Sequence, residues 1–172
     1  MPNNVVLVSG ANTCAGTLAA RTLADHGEVV YAGMDAIAGR NRDSARELRD
    51  YADREKVELR PLELDAASEQ SVTSAVAEIL AREGRIDVLV LGACPTDLGA
   101  QRLHRAVMAA LDPQREGLVV WLSSPDAVSA PDDADALDRA ANLAAEIARV
   151  VGLPRDRRPS GLVVGSGHGR PA

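Results

Sequence analysis

The sequence is poor in aromatic residues and lysine, and it contains no strongly basic segment. Among its 172 residues there is no phenylalanine, and the aromatic residues are Tyr31, Tyr51 and Trp121. Nucleic-acid-binding proteins use basic patches and aromatic platforms, whereas here 25 acidic residues outnumber 19 basic ones. The composition therefore argues against a nucleic-acid-binding function.

Long apolar runs and cysteine pairs are also lacking. No apolar stretch approaches the ~20 residues that a membrane-spanning helix needs, and the first residues lack the basic region of a signal peptide. Cys14 and Cys94 are too few for a disulfide framework or a zinc site, and they fit a reducing compartment. We therefore expect a cytoplasmic protein with no membrane segment. With 46% apolar and 26% charged residues, residues 1–172 are predicted to form one domain.

Short β-branched runs alternate with longer segments of helical periodicity. In the clearest helix, apolar residues recur at i, i+3, i+4, i+7 and i+8 from Val72 to Leu80, with Ser68 as the N-cap and Gly84 after the end. Such alternation is typical of a parallel sheet covered by helices on both faces. The predicted strands lie near 4–9, 28–33, 57–63, 86–92, 117–123 and 160–165, and the predicted helices near 15–26, 40–54, 68–83, 98–112 and 133–151.

The predicted helix 133–151 has a wide apolar surface. Asp138, Asn142, Glu146 and Arg149 form one narrow polar stripe, and most of the remaining circumference is apolar. A helix of this kind is buried on two sides. In one interpretation the second side contacts a partner chain. In the other, small residues only allow tight packing within the chain's own fold.

A glycine-rich turn, SGANTCAG at residues 9–16, follows the first predicted strand and leads directly into a helix. Small residues in such a turn let backbone N–H groups and the helix N-terminus approach a pyrophosphate. The turn resembles that of the short-chain dehydrogenase/reductase (SDR) family, which reads Thr-Gly-x-x-x-Gly-x-Gly. Gly10 and Gly16 match the outer glycines. Ser9 stands for the threonine, and Cys14 replaces the middle glycine.

The resemblance continues through later segments in the same order. Leu64-Asp65 is similar to the family's Leu-Asp-Val motif, whose aspartate contacts adenine. Residues 86–90 resemble the strand that precedes the family's Asn-Asn-Ala-Gly motif, and residues 117–124 resemble the strand that delivers the catalytic serine. The resemblance implies an α/β fold with a doubly wound, Rossmann-like parallel sheet of about six strands in the order 3-2-1-4-5-6.

The resemblance also implies a nicotinamide dinucleotide site. Asp35 lies nineteen residues after Gly16, close to the spacing of a carboxylate that binds the ribose 2′-hydroxyl and favours NAD(H) over NADP(H). The alternative is a solvated loop aspartate beside Arg40 and Arg42. The candidate cofactor-binding residues are Ser9, Gly10, Asn12, Gly16, Asp35, Asp65, Gly92 and Ala93.

The two cysteines make the loss of cofactor binding a second expectation. Cys14 and Cys94 place side chains where close backbone approach to a pyrophosphate requires none. Cys14 also starts a helix, a position that lowers a thiol pKa and fits a reactive cysteine. The alternative is a pair of small buried thiols that fill space left by a cofactor. His26, His104 and His168 are scattered along the chain and are expected to be solvated or capping residues.

The catalytic groups that the resemblance implies are mostly missing. SDR enzymes use a serine, a tyrosine as general acid and a lysine four residues after it. Ser124 matches the serine, but Leu137 and Ala141 stand at the usual spacings of the tyrosine and lysine. No tyrosine lies beyond Tyr51, and Lys56 is the single lysine. Aliphatic side chains cannot donate a proton, so Ser124 is expected to be an inherited, inactive position.

Other departures from the family pattern also indicate a loss of the catalytic machinery. The Asn-Asn-Ala-Gly motif reads LGAC at residues 91–94, and residues 94–99 replace a much longer segment, so half of the following helix and its catalytic asparagine are expected to be lost. The sequence ends soon after the sixth predicted strand. We therefore expect the seventh strand and the helices that cover the substrate to be missing.

These observations predict a non-catalytic structural or regulatory partner of an active SDR enzyme, as a homodimer or heteromer assembled through the helices 98–112 and 133–151. The alternatives are an oxidoreductase with a site rebuilt around Ser124, Asp126 or Cys94, and an NAD(H)-binding sensor. The predicted interface comprises Leu103, Ala106, Val107, Ala110, Leu137, Ala144 and Ile147.

Overall fold

Six strands and five helices alternate along the chain, as the periodicity predicts. The computed structural model describes residues 3–92, 97–110, 117–122, 134–157 and 162–164. Within these ranges no helix is both long enough and apolar enough to cross a membrane. The elements are β1 (Val5–Ser9), α1 (Cys14–Asp25), β2 (Val29–Met34), α2 (Arg42–Glu55), β3 (Leu59–Glu63), α3 (Glu69–Glu83), β4 (Val88–Leu91), α4 (Leu98–Ala110), β5 (Leu118–Leu122), α5 (Ala134–Val151) and β6 (Leu162–Val164).

The strands form one parallel sheet in the order β3-β2-β1-β4-β5-β6, which confirms the predicted topology. β1 lies at the centre, where Val6 is in register with Val30 of β2 and Val88 of β4. The chain moves outward from β1 to β3 and then crosses to β4. A doubly wound sheet of this kind places ligands at the carboxyl edge, next to the reversal of strand order.

Each face of the sheet carries its own buried cluster, because successive side chains of a strand point to opposite faces. Val6 and Val8 contribute to the cluster beneath α1, α2 and α5, which we call the α1 face. Val5 and Leu7 contribute to the cluster beneath α3 and α4, which we call the α3 face. Burial on both faces explains why β1 is apolar at four successive positions.

Helix α5 lies on the α1 face, and its contact with α1 is the most extensive between any two helices described. The connection β5-α5-β6 runs across the sheet in the same direction as β4-α4-β5 but over the opposite face. It therefore has the opposite hand to β4-α4-β5, whereas parallel crossovers are usually all right-handed. Ala19 and Ala144 belong to the same buried cluster. The structure thus favours tight packing of small residues within the chain as the explanation for the apolar width of α5.

Two buried carboxylates fix the start of β1 at the amino edge of the sheet. Asp87 Oδ2 accepts hydrogen bonds from the Val5 N–H and from Arg85 Nε, both at 2.9 Å. Glu28 accepts from the backbone and side-chain amides of Asn4. These bonds satisfy polar groups where β1 enters the core and hold the strand in register.

The position of α5 predicts that substitution by leucine affects stability very differently at two neighbouring alanines. Ala144 is buried within the α1-face cluster, whereas Ala145 is exposed. Overpacking a filled core costs about 1–3 kcal/mol, so Ala144→Leu should lower the free energy of unfolding by that amount. Ala145→Leu should change it by less than about 0.5 kcal/mol. Urea unfolding of both variants checks this, and equal losses would contradict the packing described.

Candidate functional site

A cleft opens at the carboxyl edge of the sheet. Its volume is about 690 Å³, and it lies where β1 and β4 diverge toward helices on opposite faces. Six of the eight predicted cofactor residues line it. The lining residues are Ser9, Gly10, Asn12, Met34, Asp35, Leu64, Asp65, Ala66, Ala67, Gly92, Asp97, Leu98, Gly99, Ala100 and Arg102.

The β1–α1 turn requires glycine at both of its ends. Gly10 has φ +68°, a left-handed conformation that side-chain-bearing residues rarely adopt. A Cβ at Gly16 would lie 2.1 Å from the carbonyl oxygen of Gly10, so α1 can approach the turn only because this side chain is absent. Thr13 is the N-cap, and its Oγ1 accepts from the Gly16 N–H at 3.1 Å. Gly16 therefore allows α1 to pack closely against the turn, although it is not itself a lining residue of the cleft.

The Cys14 side chain does not fill the cleft. It packs against the buried cluster of the α1 face, and it is absent from the residues that line the cleft. The expectation that Cys14 obstructs close approach therefore finds no support in these contacts, because the partly buried side chain packs toward the α1 face. The N–H groups of Cys14 and Ala15 have no acceptor within the described ranges. They form part of the positive end of α1 that favours an anion.

The ends of β1 and β4 approach each other closely at Gly92. Its N–H donates to Ser9 Oγ at 3.2 Å, and a Cβ at this position would lie 2.6 Å from the Ser9 carbonyl oxygen. Any other residue at 92 would force the two strand ends apart. Ala93 and Cys94, which follow in sequence, lie outside the described residues.

Asp35 lies at the end of β2 and lines the cleft with its side chain 29% exposed. Its carboxylate forms an ion pair with Arg40 and accepts from Asn41 Nδ2 at 3.0 Å. Arg42 instead lies 4.0 Å from Asp43. Both interpretations of Asp35 are thus partly met, since the side chain lies at the cleft and also has a basic neighbour.

The opposite wall of the cleft is built from the β3–α3 loop and the start of α4. Asp65 Oδ1 accepts from the Ala67 N–H at 2.9 Å, which closes a tight turn. Arg102 of α4 donates through Nη1 to the carbonyl oxygens of Ala66 and Ala67 at 2.8 and 2.9 Å. Asp97 caps α4 by accepting from the Ala100 N–H at 2.8 Å. Asp97 was not singled out from the sequence, although an aspartate directly before the predicted helix 98–112 is a signal of an N-cap. Nothing in the sequence signals the contact of Arg102 with the loop.

Both tyrosines and the single lysine lie at the amino edge of the sheet, away from the cleft. Tyr51, in the last turn of α2, donates its hydroxyl to Asp25 at the end of α1. Tyr31 donates to Glu83, the last residue of α3. Lys56 is the C-cap of α2. Neither a phenol nor an ammonium group is therefore available where a dinucleotide would bind.

The remaining candidate groups do not form a second site. Within the described ranges, no three metal-ligating side chains cluster. His26 Nδ1 lies 2.7 Å from the Thr22 carbonyl oxygen, which makes it a capping residue at the end of α1. The His104 ring lies 5.7 Å from the ring of Trp121. Ser124 and His168 lie outside the described residues.

The seven predicted interface residues do not form one surface. Leu103 and Val107 are fully buried beneath α4 on the α3 face, where Ala106 and Ala110 pack beside them, partly buried. Ala144 and Ile147 are buried on the α1 face. This part of the interface prediction is wrong, because the apolar stripes of α4 and α5 cover opposite faces of the chain's own sheet. Leu137 is 46% exposed and is the most accessible of the seven.

A comparison with models of protein families identifies the family to which the chain belongs. The profile described as "short chain dehydrogenase" matches residues 4–102, more than half of the sequence. The chain therefore belongs to the short-chain dehydrogenase/reductase family, a conclusion that the fold and the glycine-lined cleft support. The matched region ends within α4, before the segment that includes Ser124. A comparison with curated proteins finds no match.

Solved structures of similar fold come from several organisms. An alcohol dehydrogenase from Thermococcus sibiricus, complexed with 5-hydroxy-NADP, superimposes with a TM-score of 0.70 at 19% identity, over 99% of this chain and 100% of that one. A short-chain dehydrogenase/reductase from Burkholderia xenovorans gives 0.71 at 16% identity, over 97% and 98% of the two chains. A double mutant of the Serratia marcescens enzyme gives 0.58 at 16% identity, over 84% and 65%. At these identities the likeness establishes the fold alone.

The environment of Tyr51 predicts a loss of stability at alkaline pH. Burial, followed by the hydrogen bond to Asp25, raises the pKa of Tyr51 from 10.0 to about 12. The folded state thus holds this proton more tightly than the unfolded state. The resulting stabilisation is complete below pH 10.0 and is lost as the pH rises toward about 12.

Urea unfolding across this pH range measures the effect. Between the two pKa values the free energy of unfolding should fall more steeply for the wild type than for Tyr51→Phe, which has no proton to lose there. Because the chain has a single lysine, few other groups titrate in this window. Parallel curves for the two proteins would contradict the prediction.

Proposed function

We propose that this protein binds NAD(H) in the carboxyl-edge cleft and does not itself catalyse hydride transfer to a carbonyl group. The observation that carries the proposal is the separation of the two halves of the family's machinery. The glycine turn, Gly92 and Asp35 surround one cleft. Both tyrosines and the single lysine, in contrast, lie at the opposite edge of the sheet.

The residues at the cleft fit a dinucleotide. A volume of about 690 Å³ lies within the range of about 300–1,000 Å³ that ligand pockets occupy. Gly10, Gly16 and Gly92 keep the backbone free of side chains where strands and helix converge. The unpaired N–H groups at the start of α1 would face a pyrophosphate. Asp35 would accept from a ribose hydroxyl, and Asp65 lies on the wall where the adenine ring would rest.

The charge of the cleft favours NAD(H) over NADP(H). Asp35, Asp65 and Asp97 line it, and Arg102 is the single basic lining residue among those described. Asp35 also forms an ion pair with Arg40, so a phosphate would compete with this carboxylate for the guanidinium. A third phosphate on the ribose would approach the Asp35 carboxylate and be repelled by it.

The absence of the family's proton donor is the reason for proposing nucleotide binding without reduction of a carbonyl group. Reduction of a carbonyl group needs an acid within hydrogen-bond reach of the developing alkoxide. Leu137 and Ala141, at the spacings where the family has tyrosine and lysine, are exposed on α5 on the α1 face. An oxidoreductase site rebuilt around Ser124 remains the alternative. A cytoplasmic location, where NAD(H) is abundant, fits the proposal.

Calorimetric titration of the purified protein with NADH and NADPH tests the proposal. NADH should bind at about micromolar strength, near −8 kcal/mol, and more tightly than NADPH. A hydrogen bond to a charged group contributes about 1.5–3 kcal/mol, so Asp35→Ala should weaken NADH binding about tenfold or more and narrow the difference between the nucleotides. Asp53→Ala, an exposed carboxylate on α2, is the matched control and should bind as the wild type does.

A turnover assay with NADH and a panel of aldehydes and ketones completes the test. The proposal predicts no oxidation of NADH above the buffer rate. Absence of NADH binding would overturn the binding half of the proposal. Steady oxidation that is lost in Ser124→Ala would overturn the non-catalytic half and establish the rebuilt site.

A partner-subunit function is the second candidate, and the outer face of α4 favours it. Leu98 is 75% and Met108 47% exposed, although both are large apolar side chains. Gln101 and Arg105 lie between them on the same side of the helix, as the i, i+3, i+7, i+10 spacing requires. Such a face is suited to contact a second chain, either another copy or a complete SDR enzyme, without disturbing the buried stripe of Leu103 and Val107.

Substitution of one exposed apolar residue on α4 and one on α5 tests which of the two helices forms the interface. Met108→Asp should reduce the mass measured by light scattering from that of a dimer to that of a monomer, because a buried unpaired charge is costly. Leu137→Asp on α5 should leave the dimer intact. A monomeric wild type would rule out a homodimer, and dissociation only by Leu137→Asp would move the interface to α5.

A further inference from the structure

We propose that Glu63 is a positioning residue of the nucleotide cleft, which acts by holding the backbone that carries Asp35. Glu63 is the last residue of the edge strand β3 and does not line the cleft itself. It was not among the residues that the sequence singled out. The inference rests on the proposed binding of NAD(H), and it concerns how specificity for the ribose is maintained.

The Glu63 carboxylate spans the start of the β2–α2 turn. Oε1 accepts from the Ala36 N–H at 2.8 Å, and Oε2 accepts from the Ile37 N–H at 3.0 Å. Glu63 is placed to do this because it lies in register with Met34, the last residue of β2. One carboxylate thus holds the two backbone N–H groups that immediately follow Asp35.

These bonds stabilise an unfavourable backbone conformation. Ala36 has φ +49°, in the left-handed region, which is unfavourable for a residue with a Cβ. Its carbonyl oxygen accepts from the N–H groups of Gly39 and Asn41 at 2.9 and 3.1 Å, so the peptide groups on both sides of Ala36 are held. A charged acceptor that binds two N–H groups offsets the strain. Without it, we expect Ala36 to relax toward a right-handed or extended conformation.

Relaxation of the Ala36 backbone would displace Asp35, because it rotates the Asp35–Ala36 peptide. Asn41 Nδ2 binds the carbonyl oxygen of Asp35 at 2.7 Å as well as its carboxylate, so both ends of this residue depend on the turn. Displacement of the carboxylate would remove the group that binds the ribose hydroxyls and repels a 2′-phosphate. Glu63 therefore controls both the affinity for NADH and the discrimination against NADPH.

A general structural role would lower the affinity for both nucleotides, so the test compares them. Calorimetric titration with NADH and NADPH is made for the wild type, Glu63→Ala, Asp35→Ala and the double variant. Glu63→Ala should weaken NADH binding about fivefold to tenfold, equivalent to one or two hydrogen bonds, with a smaller loss for NADPH. In the Asp35→Ala background, Glu63→Ala should cause no further loss, because the group it positions is already gone.

Two control variants accompany this double-mutant cycle. Glu47→Ala removes an exposed carboxylate of α2 without a contact to the turn and should bind as the wild type does. Glu63→Gln keeps one acceptor oxygen and should recover most of the affinity that Glu63→Ala loses. Since Glu63 is exposed, its variants are expected to fold, and urea unfolding verifies this.

The outcomes separate this inference from the proposed function. If the wild type binds NADH and Glu63→Ala binds it equally well, the role of Glu63 is overturned and the proposed function stands. Equal losses for NADH and NADPH, or additive losses in the double variant, also overturn it. If the wild type binds neither nucleotide, both the proposed function and the role of Glu63 fail.

Discussion

The close approach of β1 and β4 at their carboxyl ends is the constraint on which the rest of the structure depends. The Gly92 Cα lies so near Ser9 that a Cβ would come within 2.6 Å of the Ser9 carbonyl oxygen. From this point the chain turns to α1 on one face and to α4 on the other, and the cleft opens between them. Carboxylates at the opposite edge, Glu28 and Asp87, hold the start of β1 and so fix where it ends.

Binding and proton transfer are separable in this fold because different parts of the sheet supply them. The turn after β1 and the ends of β2, β3 and β4 form the carboxyl-edge cleft, whose lining contains no tyrosine or lysine. The acid that the family uses belongs to the segment after β5, where this sequence has aliphatic residues at the expected spacings. A chain can therefore lose the second function while strand packing still preserves the first.

The alternation of strands and helices was predictable from the sequence because the two have different periods. The strand order, in contrast, was implied by the resemblance to the SDR family, because periodicity does not specify which strands are neighbours. Asp35 and Asp65, which line the cleft, were also predicted, Asp35 from its spacing after Gly16 and Asp65 from the resemblance to the family's Leu-Asp-Val motif. The placement of α5 was not, because an apolar stripe indicates burial but does not specify which face of the sheet covers it. The roles of Arg102 and Glu63 arise from contacts across 26 to 36 residues of sequence, for which local patterns carry no signal.

Energy transfer from Trp121 to bound NADH tests the central claim most directly. Trp121 is the single tryptophan, and it lies near the carboxyl end of β5, at the same edge of the sheet as the cleft. If the cleft binds NADH, excitation of Trp121 should produce nicotinamide emission that saturates with added NADH and stays constant when aldehydes or ketones are added. Absence of this emission would contradict the claim that the cleft binds NADH. Its decay after a carbonyl compound is added would contradict the claim that the protein does not transfer hydride.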